Sequence, residues 1–391
     1  MNVFENIWYK IKTEPPITVA VITIVFFSLP VIISILTNGN ILLPSGFTYT
    51  IIVGPFYGIA AIMIDLLLIY LFSMSPVIKL NFHSIITPDV VRKFFIVFYM
   101  VITWFSFYII NAKLNFFSSL LEDPVMTMLS VGGNLVEEKL LASFFFGISG
   151  CIGFALTRKD DGFLLRLASF ITMLAIVIFY FFVGRREISL MTLCFMLLSK
   201  REKINRTYLI VVGVLSALIL ITVLSLRLSV QDNDDPLYAT NSEELSPVAY
   251  SAYVIEHNTP NIIASFTEVT PLRSKLFPTT ISAAYMKAQT GYNEDSSPVL
   301  GIGGVTYIYG FVVPIIMLLM VGIMTRSVTS EFKLHKTPVL RMLLIFMSFK
   351  AINLFRNGEF PIVMIDILLF FILCMPVLYL DFPTRHIAHE A

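Results

Sequence analysis

The chain has 391 residues, of which 57% are hydrophobic and only 14% charged, with a mean hydropathy of +0.84. Soluble domains carry about 25% charged residues, so a string of soluble domains is excluded. The net charge of +1 proposes neither a nucleic acid nor an acidic partner, and Cys151, Cys194 and Cys374 fall inside apolar runs without disulfide or metal-ligand spacing.

The first sixteen residues carry charges and the pair Pro15-Pro16, with no short apolar region followed by a small-residue cleavage site, which argues against a cleaved signal peptide. Apolar runs then recur at 17–37, 48–72, 94–112, 140–156, 167–183, 188–199, 207–226, 299–324, 339–355 and 362–380. Most are long enough to cross a roughly 30 Å hydrocarbon core as helix. The pattern predicts an all-α polytopic membrane protein with about ten transmembrane helices, residues 1–391 forming a single integral membrane domain.

Lys and Arg are retained in the cytoplasm, which fixes the sidedness. With the N-terminus inside, Lys10, Lys12, Lys79, Arg92, Lys93, Arg158, Lys159, the basic cluster at 200–206 and Arg326 to Arg341 all fall on the cytoplasmic side. The acidic pairs Glu122-Asp123, Glu137-Glu138, Asp234-Asp235 and Glu243-Glu244 fall on the other. Both termini are therefore expected in the cytoplasm. No internal repeat of the kind many transporters carry is visible.

Residues 227–297 form one large external loop, the only stretch outside the spans long enough to build structure. Ser246-Pro247 predicts a helix through about His257, and 282–289 suits a second. Its rings, among them Tyr250, Tyr253, Phe266, Tyr285 and Tyr292, suit either interfacial anchoring or stacking on sugars.

The most informative short segment is Gly184-Arg185-Arg186-Glu187, between two short spans. The run from Arg185 to Lys200 is about 22 Å of helix, less than the ~30 Å core, so the arginines are expected below the external surface. At the start of a helix, such a pair suits a diphosphate. The competing reading has Glu187 neutralise one arginine while the other snorkels to headgroups. Arg273 and Lys275 stand out in an acidic loop and suit completion of an anion site or plain solvated charges. Arg356 lies in Arg356-Asn357-Gly358-Glu359, read as a tight external turn in reach of headgroups or an anion. His257, directly after Glu256, and Glu268 are candidate general bases, against a structural role for each. Asp65, Lys350 and Asp366 lie inside spans, where structural pairing competes with an ion pathway. No Walker loop, dinucleotide fingerprint, HExxH or metal-ligand cluster is present, so an enzyme built this way is expected to be metal-independent, to use no cofactor and to act on already activated substrates in the membrane.

The layout resembles the bacterial O-antigen polymerases, the Wzy-type oligosaccharide repeat-unit polymerases. The resemblance rests on Gly184-Arg185-Arg186 entering an aliphatic helix, on Gly301-Ile302-Gly303-Gly304 followed by Tyr307 to Phe311, and on Arg356-Asn357-Gly358-Glu359 before the last span. It implies a GT-C-like helical glycosyltransferase of the bacterial inner membrane with its active site on the periplasmic face. The reaction implied joins undecaprenyl-diphosphate-linked repeat units, donor to acceptor, with a diphosphate leaving group. It implies diphosphate binding by Arg185, Arg186, Lys275 and Arg356, and catalysis by His257 or Glu268 as base with Arg273 stabilising the leaving group. Membrane lipids and a chain-length regulator protein are the further partners implied, and no nucleic acid. An O-antigen ligase shares nearly all this chemistry, and a lipid-linked sugar flippase is the reading from a different class.

Overall fold

The computed structural model describes residues 9–10, 13–45, 49–79, 85–86, 88–114, 140–182, 186–198, 247–260, 300–335, 337–358, 360–378 and 380–381. Its helices are α1 (Pro15–Asn38), α2 (Pro55–Met74), α3 (Asp89–Leu114), α4 (Leu140–Leu156), α5 (Phe163–Phe182), α6 (Arg186–Leu198), α7 (Pro247–His257), α8 (Ile302–Tyr309), α9 (Val312–His335), α10 (Pro338–Asn357) and α11 (Phe360–Leu378). Strands β1 (Ile41–Ser45) and β2 (Tyr49–Val53) form an antiparallel hairpin with Ile41 opposite Val53, and the two-residue strands β3 (Ile85–Ile86) and β4 (Leu380–Asp381) pair in parallel.

Among the described residues six helices are long and apolar enough to cross a membrane: Pro15–Asn38, Pro55–Met74, Asp89–Ala112, Phe163–Phe181, Val312–Leu334 and Pro338–Arg356. Three shorter apolar helices accompany them, Ala142–Leu156, Ile188–Leu198 and Val363–Leu378. The chain is thus a mostly helical, polytopic membrane protein by the length and composition of its helices. The expected span at 207–226 and the second loop helix at 282–289 lie outside the described residues.

Two expected spans are corrected. The run 48–72 opens in the hairpin, and helix begins only at Pro55, where a proline is tolerated because first-turn N–H groups have no helical partner. The run 299–324 is two helices, α8 and α9, broken at Gly310, whose φ of 96° is one that glycine adopts without strain.

Contacts divide the chain into two compact units. The first holds Met1–Lys79, Asp234–Ser330 and Met347–Leu368, hence α1, the hairpin, α2, α7, α8 and parts of α9 to α11. Gly39, left-handed at φ 71°, ends α1 with its N–H on the Ile35 carbonyl. α2 returns antiparallel to α1, with Gly58 seated against Val31 and Ile41. α7 packs on α2 and α8 and touches α1 and the hairpin. At the far end of α2, Arg326 of α9 bonds Glu14 at 2.9 Å and the Ser75 carbonyl, while Lys10 Nζ donates to the Ser73 carbonyl at 2.8 Å. Lys350 of α10 pairs with Asp366 of α11, both mostly buried, which is the structural pairing that was one of the two expectations for in-span charges.

The second unit holds Leu80–Asn233, Glu331–Phe346 and Leu369–Ala391, with α3 to α6 and the remaining ends of α9 to α11. α4 packs along α3 and against α5, where Gly150 leaves room for Ile176: a Cβ there would overlap Ile176 Cδ1 and stand 3.4 Å from Thr103 of α3. Arg92, 1% exposed, reaches from α3 to the Leu156 carbonyl at the end of α4 and to both oxygens of Asp161, at 2.5 and 2.7 Å. Burial alone would push the Asp161 carboxyl up; hydrogen bonds from Arg92 and the Arg158 backbone N–H, with the charge of Arg92, outweigh it and hold the group below the usual carboxylate range. Arg341 similarly donates to the Leu198 carbonyl at 3.0 Å, closing the end of α6.

Candidate functional site

α7 forms where it is expected, opening at Pro247 and ending at His257. It is not a solvated loop helix. Pro247, Val248, Ala249, Tyr250, Ser251, Ala252, Val254 and Ile255 are all buried, so this helix is apolar nearly all round and packs as core. Its start is fixed at the middle of α2: the Gly301 N–H donates to the Pro247 carbonyl at 3.1 Å, and two residues on, the Gly303 N–H donates to Asp65 Oδ1 at 2.8 Å. Its end is fixed at the start of α2, where Glu256 Oε1 accepts the Gly54 N–H at 3.2 Å. α7 therefore runs beside the first half of α2, a candidate membrane span, and α8 runs parallel to it.

Two glycines permit this. A Cβ at Gly304 would stand 2.6 Å from Ser251 Oγ and 3.0 Å from Ser251 Cα, and one at Gly303 would stand 2.6 Å from Asp65 Oδ1. The Gly301 to Gly304 segment, marked in the sequence as small, is small because α8 touches α7 and α2 backbone to side chain.

His257 is held in one orientation. Its Nδ1 lies 2.9 Å from the Tyr253 carbonyl, which can only accept, so Nδ1 carries the proton. The ring stacks on Tyr253 with centroids 4.2 Å apart. The side chain is 46% exposed, and among the described residues no hydrogen bond is made by Nε2. Glu256 Oε2 lies 3.9 Å from Nδ1, and Oε1 accepts the N–H of Gly54, the N-cap residue of α2, so Glu256 satisfies one of the free donors at the start of α2 and is an electrostatic companion of the imidazole. Tyr307 of α8 donates to the Asn258 carbonyl at 3.2 Å, pinning the residue that follows His257. The i−4 spacing of Tyr253 and His257 was a readable signal for this ring pair; the role of Glu256 was not, because its partner lies two hundred residues away.

Arg356 sits in the last turn of α10, where the candidate span Pro338–Arg356 ends. Its guanidinium lies 5.8 Å from the ring centre of Phe27, midway along α1. The turn that follows is left-handed at Gly358, φ 60°, with its N–H on the Leu354 carbonyl at 3.0 Å, and it abuts Val305 of α8. The expected turn after α10 is present, and it lies against α8, with the Arg356 guanidinium reaching toward α1. From the level of Gly54 and Glu256 to that of Phe27 is about 12 Å along the helix axes, counting Gly54 to Gly58 on α2 and Val31 to Phe27 on α1.

α6 opens at Arg186 as the arginine turn predicts. Arg186 belongs to the second unit, and His257 and Arg356 to the first. Arg185, Glu268, Arg273 and Lys275 lie outside the described residues. Among the described residues no group of three or more His, Cys, Asp or Glu converges as a metal centre. In comparisons with known protein families, curated proteins and solved structures, the chain matches none.

Proposed function

We propose that the chain is a metal-independent membrane glycosyltransferase that polymerises undecaprenyl-diphosphate-linked oligosaccharide repeat units on the periplasmic face of a bacterial inner membrane, with both termini in the cytoplasm and residues 227–297 on the periplasmic side, α7 dipping from it into the bundle. The observation that carries this reading is His257: an imidazole with Nδ1–H committed to the Tyr253 carbonyl and Nε2 without a partner among the described residues, its ring lying 4.2 Å from that of Tyr253 at the end of a packed helix. In that state the base accepts a proton from an acceptor hydroxyl through Nε2, and the resulting imidazolium is stabilised by Glu256 at 3.9 Å. Arg356 supplies a charge suited to a diphosphate. The axial offset of about 12 Å between His257 and Arg356 is too long for one glycosidic centre and suits a short oligosaccharide, with its diphosphate near the arginine and its nonreducing end near the imidazole. In this reading Arg356 serves the acceptor's diphosphate, and Arg185, Arg186, Arg273 and Lys275 are kept as proposed anion ligands, with Glu268 as the alternative base.

The test is made in the native host. Deleting the gene should collapse the ladder of surface glycolipids to core bearing a single repeat unit, and wild-type complementation should restore it. His257→Gln and Arg356→Ala, checked for membrane levels, should each leave the single-unit product. Full-length ladders from both variants would sink the reading, whereas total loss of repeat units on deletion would point to a ligase or flippase.

A further inference from the structure

Asp65 lies midway along α2 with no exposed surface. Oδ1 accepts the Gly303 N–H in the first turn of α8, but Oδ2 is buried without a hydrogen-bond partner among the described residues. Thr306 is also wholly buried, and its Oγ1 likewise lacks a partner among the described residues. Thr306 is one turn on from Gly303 and so lies on the face of α8 that meets Asp65. Lys350 does not serve Asp65, since it is engaged by Asp366.

A carboxylate at the middle of a span, given one N–H and the fractional charge of a helix start, is left with an unmatched oxygen and most of a negative charge. A proton would turn Oδ2 into a donor, yet Oδ2 makes no hydrogen bond even with Thr306 Oγ1, the acceptor on this face, so protonation alone leaves both oxygens unsatisfied. Water would serve the oxygens and leave the charge. A hard cation serves both oxygens and the charge together, and a single carboxylate matches a single positive charge.

We propose that Asp65 Oδ2 and Thr306 Oγ1 are ligands of a monovalent alkali cation bound between α2 and the first turns of α8. The site does not depend on the glycosyl-transfer reading. The full chain, purified in detergent, is heated while choline chloride is exchanged for NaCl or KCl at constant ionic strength. The melting temperature should climb by about 2 °C for each tenfold rise in the bound ion above its dissociation constant, and the ion acting at lower concentration is the occupant. Asp65→Asn keeps an oxygen for the Gly303 N–H and removes the charge; it should lose the response and melt, without alkali ions, no lower than wild type. Thr306→Val should retain the response with its half-saturation raised about tenfold. A wild-type melting temperature indifferent to both salts, or an Asp65→Asn protein responding as wild type does, overturns the proposal. If Asp65→Asn does not fold, the wild-type titration and Thr306→Val still decide it.

Discussion

Gly304→Ala isolates the contact that seats α8 on α7. The added methyl would stand 2.6 Å from Ser251 Oγ and 3.0 Å from both Cα and Cβ of the same residue. Carbon atoms settle about 3.5–4.0 Å apart, so the two helices must separate by roughly 0.5–1 Å. Ser251 cannot swing aside, since it is fully buried and its hydroxyl donates to the Pro247 carbonyl at 2.9 Å. Overpacking of this kind costs about 1–3 kcal/mol, and alanine in place of glycine in a helix returns up to ~1 kcal/mol, which leaves a net loss near 1–2 kcal/mol. The same displacement moves the helix that ends at His257, and an error near 1 Å in a catalytic group is worth up to about 10²-fold in rate. The assay is a double-mutant cycle with Ser251→Gly, scored by thermal unfolding in detergent and by ladder length in complemented cells. Ser251→Gly alone should destabilise, yet in the Gly304→Ala background it should recover stability, with a coupling above about 0.5 kcal/mol. Additive effects within that margin, or a Gly304→Ala protein with unchanged melting and full ladders, would refute the reasoning.

Four further outcomes are expected. Arg92→Met should destabilise by about 3–5 kcal/mol because it strands a carboxylate only 1% exposed, whereas Arg92→Met with Asp161→Asn should recover much of it. Folding lowers the Asp161 pKa, so its stabilisation is complete above the ordinary carboxylate range near pH 4 and fades as pH falls below it; Asp161→Asn should flatten that acid limb of a melting-temperature profile, and an unchanged limb would discount the pair. Lys350→Met should be less stable than Lys350→Met with Asp366→Leu in urea or thermal unfolding, since only the single variant leaves a buried charge alone; equal stabilities would count against the pair. Gly358→Ala should cost at least ~2 kcal/mol, from a left-handed φ and a Cβ 2.5 Å from Val305 Cγ2, and a neutral result would mean that the α10–α11 turn is seated otherwise.

Hydrophobic run length carried most of the helical architecture, because a helix that faces lipid on one side and protein on the other is apolar all round. The same property hid the exceptions. Tyr49 to Val53 reads as the start of a span because a strand of Ile and Val is as apolar as a helix, and only Pro55 marks the true beginning. α8 and α9 merge in a hydropathy scan, although Gly310 ahead of Phe311 was visible as a break. α7 was legible as a helix through Pro247 and illegible as core, since a stretch lying in a long acidic loop is read as external by its neighbours. Residues 1–16 were set apart as a charged end before the first run, while the pairing of Glu14 with Arg326 is set by α1 and α9 meeting in space, for which spacing along one chain gives no sign. Lys350 and Asp366 were closer to legible, lying on consecutive helices across one turn.

The burial of α7 alters how His257 should be regarded. A histidine on a surface loop samples many positions, and its catalytic use requires ordering when substrate binds. Here the residue ends a helix tied at three points: Pro247 to Gly301, Ser251 against Gly304, and Glu256 to Gly54. Each tie joins α7 to an element that is itself packed, so the imidazole is positioned by the bundle, as a site requiring sub-ångström placement demands. The Glu256 tie can be separated from the electrostatic effect of its charge. Glu256→Gln keeps an acceptor for the Gly54 N–H and removes the carboxylate beside the ring, whereas Glu256→Ala removes both. If positioning dominates, Gln should retain long ladders and Ala should shorten them. If stabilisation of the imidazolium dominates, both should fall together, and only Ala should also lose about 1 kcal/mol of stability from the unpaired Gly54 N–H at the start of α2.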